Sequence, residues 1–276
     1  MDRKANAKIN TDIPQEIARK KLKEFFEKRN KEVFFARQIE VQNEDEFFHW
    51  LTHRVTQELI DRDLIRSETR KLSSGAPIKL LWNRSYRYYK RSAEKLIKIV
   101  EEYSDPNVGA YIGLHGEMMV LEGFARSRFV MIERNTQKYG DREWKKTGHN
   151  LDFIFEKDSI PYGIEVKNSL GYIDPNEFRI KIEMCKKLGI RPVFVVRMMP
   201  KTWIQELQLA GGFALIMKYQ LYPWTQKKLA RKVAKELDIP VDSPRVLKET
   251  TMKRFLNWHK KHVILESNSQ NKNISH

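Results

Sequence analysis

The sequence predicts an α/β (α+β) chain in which a mixed central β-sheet flanked by helices is preceded by a mainly helical domain. Two observations carry this. Before the Pro- and Gly-punctuated break "SDPNVGA", residues 104–110, apolar residues recur mostly at helical spacing. Beyond it short apolar runs alternate with amphipathic ones, and strand, helix, strand, helix, strand is the rhythm of a sheet with right-handed crossovers. The expected division is residues 1–104 and 105–276. With 276 residues, 41 % of them hydrophobic, the chain can bury a sizeable core.

In the first part, "IPQEIARKKLKEFFEKRN" sets Ile13, Ile17, Leu22, Phe25 and Phe26 along one helix face, with Pro14 in the first turn. "VFFARQI" reads as a short element. "NEDEFFHWLTHRVTQELIDRDLI" is a second strong helix, opened by Asn43 and three acids, with Phe47, Leu51, Val55 and Leu59 facing inward. "LIRSETRKL" and "APIKLLWNR", joined by "SSG", read as a hairpin. This order, over about residues 13–84, resembles a winged helix-turn-helix, and the resemblance implies a domain that grips duplex DNA. The plainer alternative is a helical subdomain for packing or dimerisation.

Charge points the same way. Lys and Arg number 52 against 36 acids, a net charge of +16, and such a surplus favours a polyanion, most often nucleic acid. It is densest over residues 79–98, where Lys79, Arg84, Arg87, Lys90, Arg91, Lys95 and Lys98 face one acid, Glu94, and are interleaved with Trp82, Tyr86, Tyr88 and Tyr89. Cations neutralise phosphates and aromatic rings stack on bases. Lys79, Arg84, Arg87, Lys90 and Arg91 are the candidate DNA contacts. The other reading is an amphipathic helix with inward tyrosines and solvated cations.

Several classes are excluded. No apolar run reaches the ~18 residues of a spanning helix, so no membrane role is expected. The N-terminus "MDRKANAKINTD" holds no signal-like apolar segment. A single cysteine, Cys185, excludes an internal disulfide framework, and the expected compartment is a reducing, prokaryotic-type cytoplasm. No G-x-x-x-x-G-K-[ST] loop occurs, so no nucleotide cofactor is expected.

Chemistry concentrates in "TGHNLDFIFEKDSIPYGIEVKNSLGYI", residues 147–173. "LDFIFEK" and "YGIEVKN" read as strands around the turn "DSIP". On a strand, alternate side chains share a face, so Glu165 and Lys167 point one way and Val166 the other. A hairpin brings Asp152 beside them. Two carboxylates there repel unless a cation intervenes, and Mg2+ favours a few carboxylates with water and phosphate oxygens.

Asp152, twelve intervening residues, then Glu165-Val166-Lys167 resembles the PD-(D/E)XK nuclease signature. Its setting agrees: an upstream helix with Glu117 in "GLHGEMMVLEGF", the lead-in Gly148-His149-Asn150-Leu151, and a crossover helix before "PVFVVR". The resemblance spans about residues 108–218 and extends to type II restriction endonucleases and Holliday-junction resolvases, with Leu151 where the motif has proline. It implies Asp152 and Glu165 as metal ligands, the Val166 carbonyl completing the shell, Glu117 as a further ligand with Glu122 its rival, and Lys167 as the catalytic lysine. It also implies Mg2+, with Mn2+ able to substitute, and in-line attack of water on a phosphodiester of double-stranded DNA. Asn168 and Ser169 are candidate phosphate or supporting contacts, whereas His115 and His149 are more simply structural. The expected protein is a homodimeric type II restriction endonuclease. The alternatives are a structure-selective repair or junction nuclease and a catalytically inactive DNA-binding protein.

Overall fold

The structure, a computed structural model, describes the backbone of residues 5–273 and the side chains of residues 13–262. The chain forms two compact units, Met1–Val108 with Lys228–Pro240, and Gly109–Lys227 with Val241–His276.

The first unit begins with α1 (Ala5–Lys28), β1 (Val33–Phe35), α2 (Ala36–Gln42), α3 (His49–Asp61), β2 (Ile65–Lys71), β3 (Pro77–Asn83) and α4 (Tyr89–Tyr103). β3 lies between β1 and β2, antiparallel to both. The unit thus runs helix, strand, helix, helix, hairpin and helix. Its core is Ala18, Leu22 and Phe26 of α1, Leu51, Val55 and Leu59 of α3, with Phe34, Ile39, Phe47, Ile65 and Leu81. The expected inner face of α1 is therefore corrected. Ile13 and Ile17 are about half exposed, and Ala18 takes the inward place, one residue round from Ile17. Pro14 also lies inside α1 rather than in its first turn. The α3 start moves to His49, leaving the acids at 44–46 in the preceding turns.

A polar cluster sits in this unit around the buried Glu40 and His49. Glu40 accepts from Arg37 at 2.5 Å and lies 3.2 Å from His53 Nδ1. Burial, then the Arg37 charge, lowers the His49 pKa from 6.5 to about 4. A depressed folded-state pKa gives stability that is present above 6.5 and lost as pH falls toward 4. The melting temperature should therefore drop between pH 7 and pH 5, and His49→Gln should flatten that part of the profile in thermal unfolding.

The second unit contains α5 (Pro106–Arg126), β4 (Val130–Thr136), β5 (Lys138–Tyr139), β6 (Arg142–Glu143), β7 (Leu151–Lys157), β8 (Ile160–Lys167), α6 (Pro175–Leu188), β9 (Arg191–Val196), α7 (Lys201–Leu209), β10 (Phe213–Ile216) and β11 (Gln220–Leu221). There follow α8 (Lys227–Leu237), β12 (Val241–Asp242) and α9 (Glu249–Asn273). The central sheet has the order β10-β9-β8-β7-β4. β4, β7 and β8 are successively antiparallel, while β8, β9 and β10 are parallel, joined by α6 and α7. The sheet is mixed and flanked by helices, as the sequence predicts.

Alternation decides what each face meets. Phe153, Phe155, Tyr162, Ile164, Val193 and Val195 pack against α5 and α9 through Met119, Val120, Phe124 and Phe255. Ile154 packs against Met184, Cys185 and Leu188 of α6, and Phe194 and Val196 meet Phe178 and Leu207. A Cβ on Gly163 would meet Cys185 Sγ at 2.7 Å, so this bare position lets α6 lie close over β8. Glu165, two residues on, faces the same helix.

The basic helix α8, grouped with residues 105–276 by the sequence, packs instead with the first unit. Gln38 and Gln42 both donate to the Leu237 carbonyl, at 2.7 and 2.8 Å, and Lys232 pairs with Glu102 of α4.

Candidate active site

Asp152, the second residue of β7, lies one step beyond the last registered pair with β8, Phe153 with Ile164, which puts it beside Glu165. Its Oδ2 accepts from the Val166 N–H at 2.7 Å, so the side chain is held against the neighbouring strand. Glu165 is buried and points at α6, where Lys181 places its ammonium 2.5 Å from Oε2. The same ammonium donates to the Asn150 carbonyl, two residues before Asp152. Sequence reasoning missed Lys181. The available signal was one lysine on the inward stripe of an amphipathic helix, with Phe178 before it and Cys185 and Leu188 after.

Electrostatics set this corner apart. Burial raises Asp152 from 3.8 to about 6, against the lowering effects of the Val166 N–H and Lys181; Glu117 and Glu177 push it up further. Glu165 rises from 4.5 to about 8, first through burial and then through Asp152, although Lys181 opposes the shift. The ion pair alone would depress Glu165; desolvation and a neighbouring anion outweigh it. The corner thus sets two carboxyl groups against one ammonium.

Glu117 is the helix carboxylate whose charge reaches Asp152, and it also pairs with Arg134 of β4 at 3.3 Å. Glu122, its rival, forms an ion pair with Arg126 at 2.9 Å on α5. Lys167 is half-buried on the β8 face that carries Glu165, and among the described residues its ammonium makes no hydrogen bond or ion pair.

Asn168 requires a correction. It is not a DNA contact: its side chain is buried and its amide donates to the Ile112 and Leu221 carbonyls at 2.8 and 2.6 Å. Its Oδ1 accepts from the Leu221 N–H at 2.8 Å. It staples the end of β8 to α5 and β11. A Cβ on Gly116 would come within 2.5 Å of Asn168 Cβ, so the helix must be bare there. His149 is held by Thr147 at 3.0 Å, whereas His115 Nε2 is buried without a partner among the described residues.

The basic segment divides into two kinds of residue. Trp82 is buried and stacks on Tyr89, centroids 4.0 Å apart, and Tyr86 bonds Ser92 at 2.8 Å. These rings are occupied by packing. Lys79 donates to Gln57 at 2.9 Å and Arg84 pairs with Asp63 at 2.9 Å. Arg87, Tyr88, Lys90 and Arg91 stay exposed, as do Trp50, His53 and Arg54 on the outer face of α3.

Among the described residues, no three His, Cys, Asp or Glu side chains converge closely enough to form a metal site by themselves. Asp152 and Glu165 nonetheless offer hard oxygen donors of the kind that suits a small divalent cation whose remaining ligands are water and phosphate. Also among the described residues, no helix is long and apolar enough to cross a membrane.

No protein-family model and no curated protein matches the chain. Among solved structures it is similar to Can2 from Sulfobacillus thermosulfidooxidans in complex with cyclic tetra-adenylate, at 11 % identity and a TM-score of 0.31. That alignment covers 82 % of this chain and 56 % of the other. A likeness so distant carries no weight for fold or function.

Proposed function

We propose that the chain is a Mg2+-dependent endodeoxyribonuclease of the PD-(D/E)XK type that hydrolyses phosphodiester bonds in double-stranded DNA, most simply a homodimeric type II restriction endonuclease in a reducing cytoplasm. The observation that carries this reading is Asp152 and Glu165 side by side on β7 and β8, the first half-buried, the second buried, and both held above the ordinary carboxylate range. The upstream helix α5 and the crossover helix α6 before β9 are also the setting the nuclease resemblance implies. The winged-helix arrangement and the exposed Arg87, Lys90 and Arg91 support a duplex partner.

Asp152 and Glu165 would hold the ion, with the Val166 carbonyl and Glu117 at its margin. When bound, Mg2+ supplies Lewis acidity toward the phosphate oxygens and the incoming water. Lys167, projecting from the same strand face as Glu165, would hold that water or offset charge growing on the phosphate. The Val166 N–H fixes the Asp152 carboxylate before any ligand arrives.

A second reading, a DNA-binding protein without catalysis, draws on the Glu165–Lys181 pair, which already gives the glutamate a partner. Incubating covalently closed plasmid with the chain separates the two. Nicking or linearisation in Mg2+, abolished by EDTA, supports the nuclease; binding without cleavage supports the alternative. Discrete fragments from a long duplex favour restriction, and cutting confined to branched DNA favours a junction enzyme.

A further inference from the structure

The charge balance around Lys181 points to a device at the same corner. Its side chain is 4 % exposed, and it is the cation whose charge acts on both Asp152 and Glu165. Here one ammonium faces two carboxylates, with Glu117 and Glu177 adding to the field at Asp152. Two carboxyl groups leave room for a cation that takes the place of a proton, but an ammonium on Glu165 Oε2 and a divalent ion on the same carboxylate repel strongly in a poorly screened site.

We propose that Lys181 is a resident counter-ion that a divalent metal must displace from Glu165, so that this lysine sets the metal concentration at which the site loads. The proposal rests on the nuclease reading of the site. The Asn150 carbonyl is the second acceptor of the ammonium, so leaving Glu165 does not strand a buried charge. The device is local: α6 carries the lysine, β8 the glutamate, and the Asn150 carbonyl precedes β7.

The test is calorimetric titration of the full chain with Mg2+ and with Mn2+, at one fixed pH and without DNA. Lys181→Met removes the charge and keeps an apolar stem of similar length. It should bind either metal about tenfold or more tightly than the parent, because a repelling charge beside the ion is gone. Lys181→Arg keeps the charge and should stay near the parent affinity, which guards against Lys181→Met failing to fold. Unchanged or weaker binding by folded Lys181→Met, or tightening in Lys181→Arg, overturns the proposal and leaves Lys181 a structural partner. A parent that binds neither metal overturns the nuclease reading itself, an outcome distinct from a parent that binds and a variant that does not tighten.

Discussion

Glu165→Gln should abolish Mg2+-dependent cleavage, lowering the rate by about a thousandfold or more, since a metal ligand contributes several kcal/mol of transition-state stabilisation. The substitution is nearly isosteric and replaces an ionisable carboxyl with a neutral amide. The fold should survive it: burial already disfavours the charged form of Glu165 and pushes it up to about 8, so a neutral amide of the same shape suits the position. Lys181 does lose its carboxylate partner, but the Asn150 carbonyl remains to accept from it. Plasmid cleavage measured beside the thermal melting curve separates loss of chemistry from loss of structure. A variant that melts like the parent and still cuts at the parental rate would remove Glu165 from the mechanism.

Asn168→Ala should be among the most destabilising single changes in the second unit, at about 3 kcal/mol, or a fall of roughly 10 °C in melting temperature. Its side chain makes three hydrogen bonds, to the Ile112 and Leu221 carbonyls and from the Leu221 N–H, all buried. Truncation leaves those backbone groups without their partner, and each unmet buried group carries its own cost. Because the amide faces inward, the lesion should appear in thermal unfolding. DNA affinity measured well below the transition should be close to that of the parent. A variant with parental stability and sharply reduced DNA affinity would restore Asn168 to the DNA interface.

What was legible in the sequence follows from which forces act locally. β7 and β8 were readable because alternation along "LDFIFEK" and "IPYGIEVK" is imposed by the pleat, and the pairing of Asp152 with Glu165 follows from a short hairpin. The inward face of α3 was readable because Leu51, Val55 and Leu59 repeat strictly. The α1 face was not, since Ile13 and Ile17 satisfy the same spacing yet remain exposed, and hydrophobicity alone cannot rank them against a small Ala18.

Three features needed coordinates. Lys181 is a cation on an apolar stripe, ordinarily a residue turned outward, and only the approach of α6 over Gly163 brings it to Glu165. Asn168 is polar and follows a motif residue, so its burial depends on groups more than fifty positions away in both directions. α8 follows the sheet in sequence but packs with the first unit through Leu237, a pairing across about two hundred residues that no local pattern records.

The shared-ion account of Asp152 and Glu165 is tested most directly by following Mn2+ binding with electron paramagnetic resonance, in the parent and in Asp152→Asn. The account predicts one saturable site per chain in the parent, lost or weakened by orders of magnitude in the variant. No saturable site in the parent, or equal binding by both proteins, would contradict it.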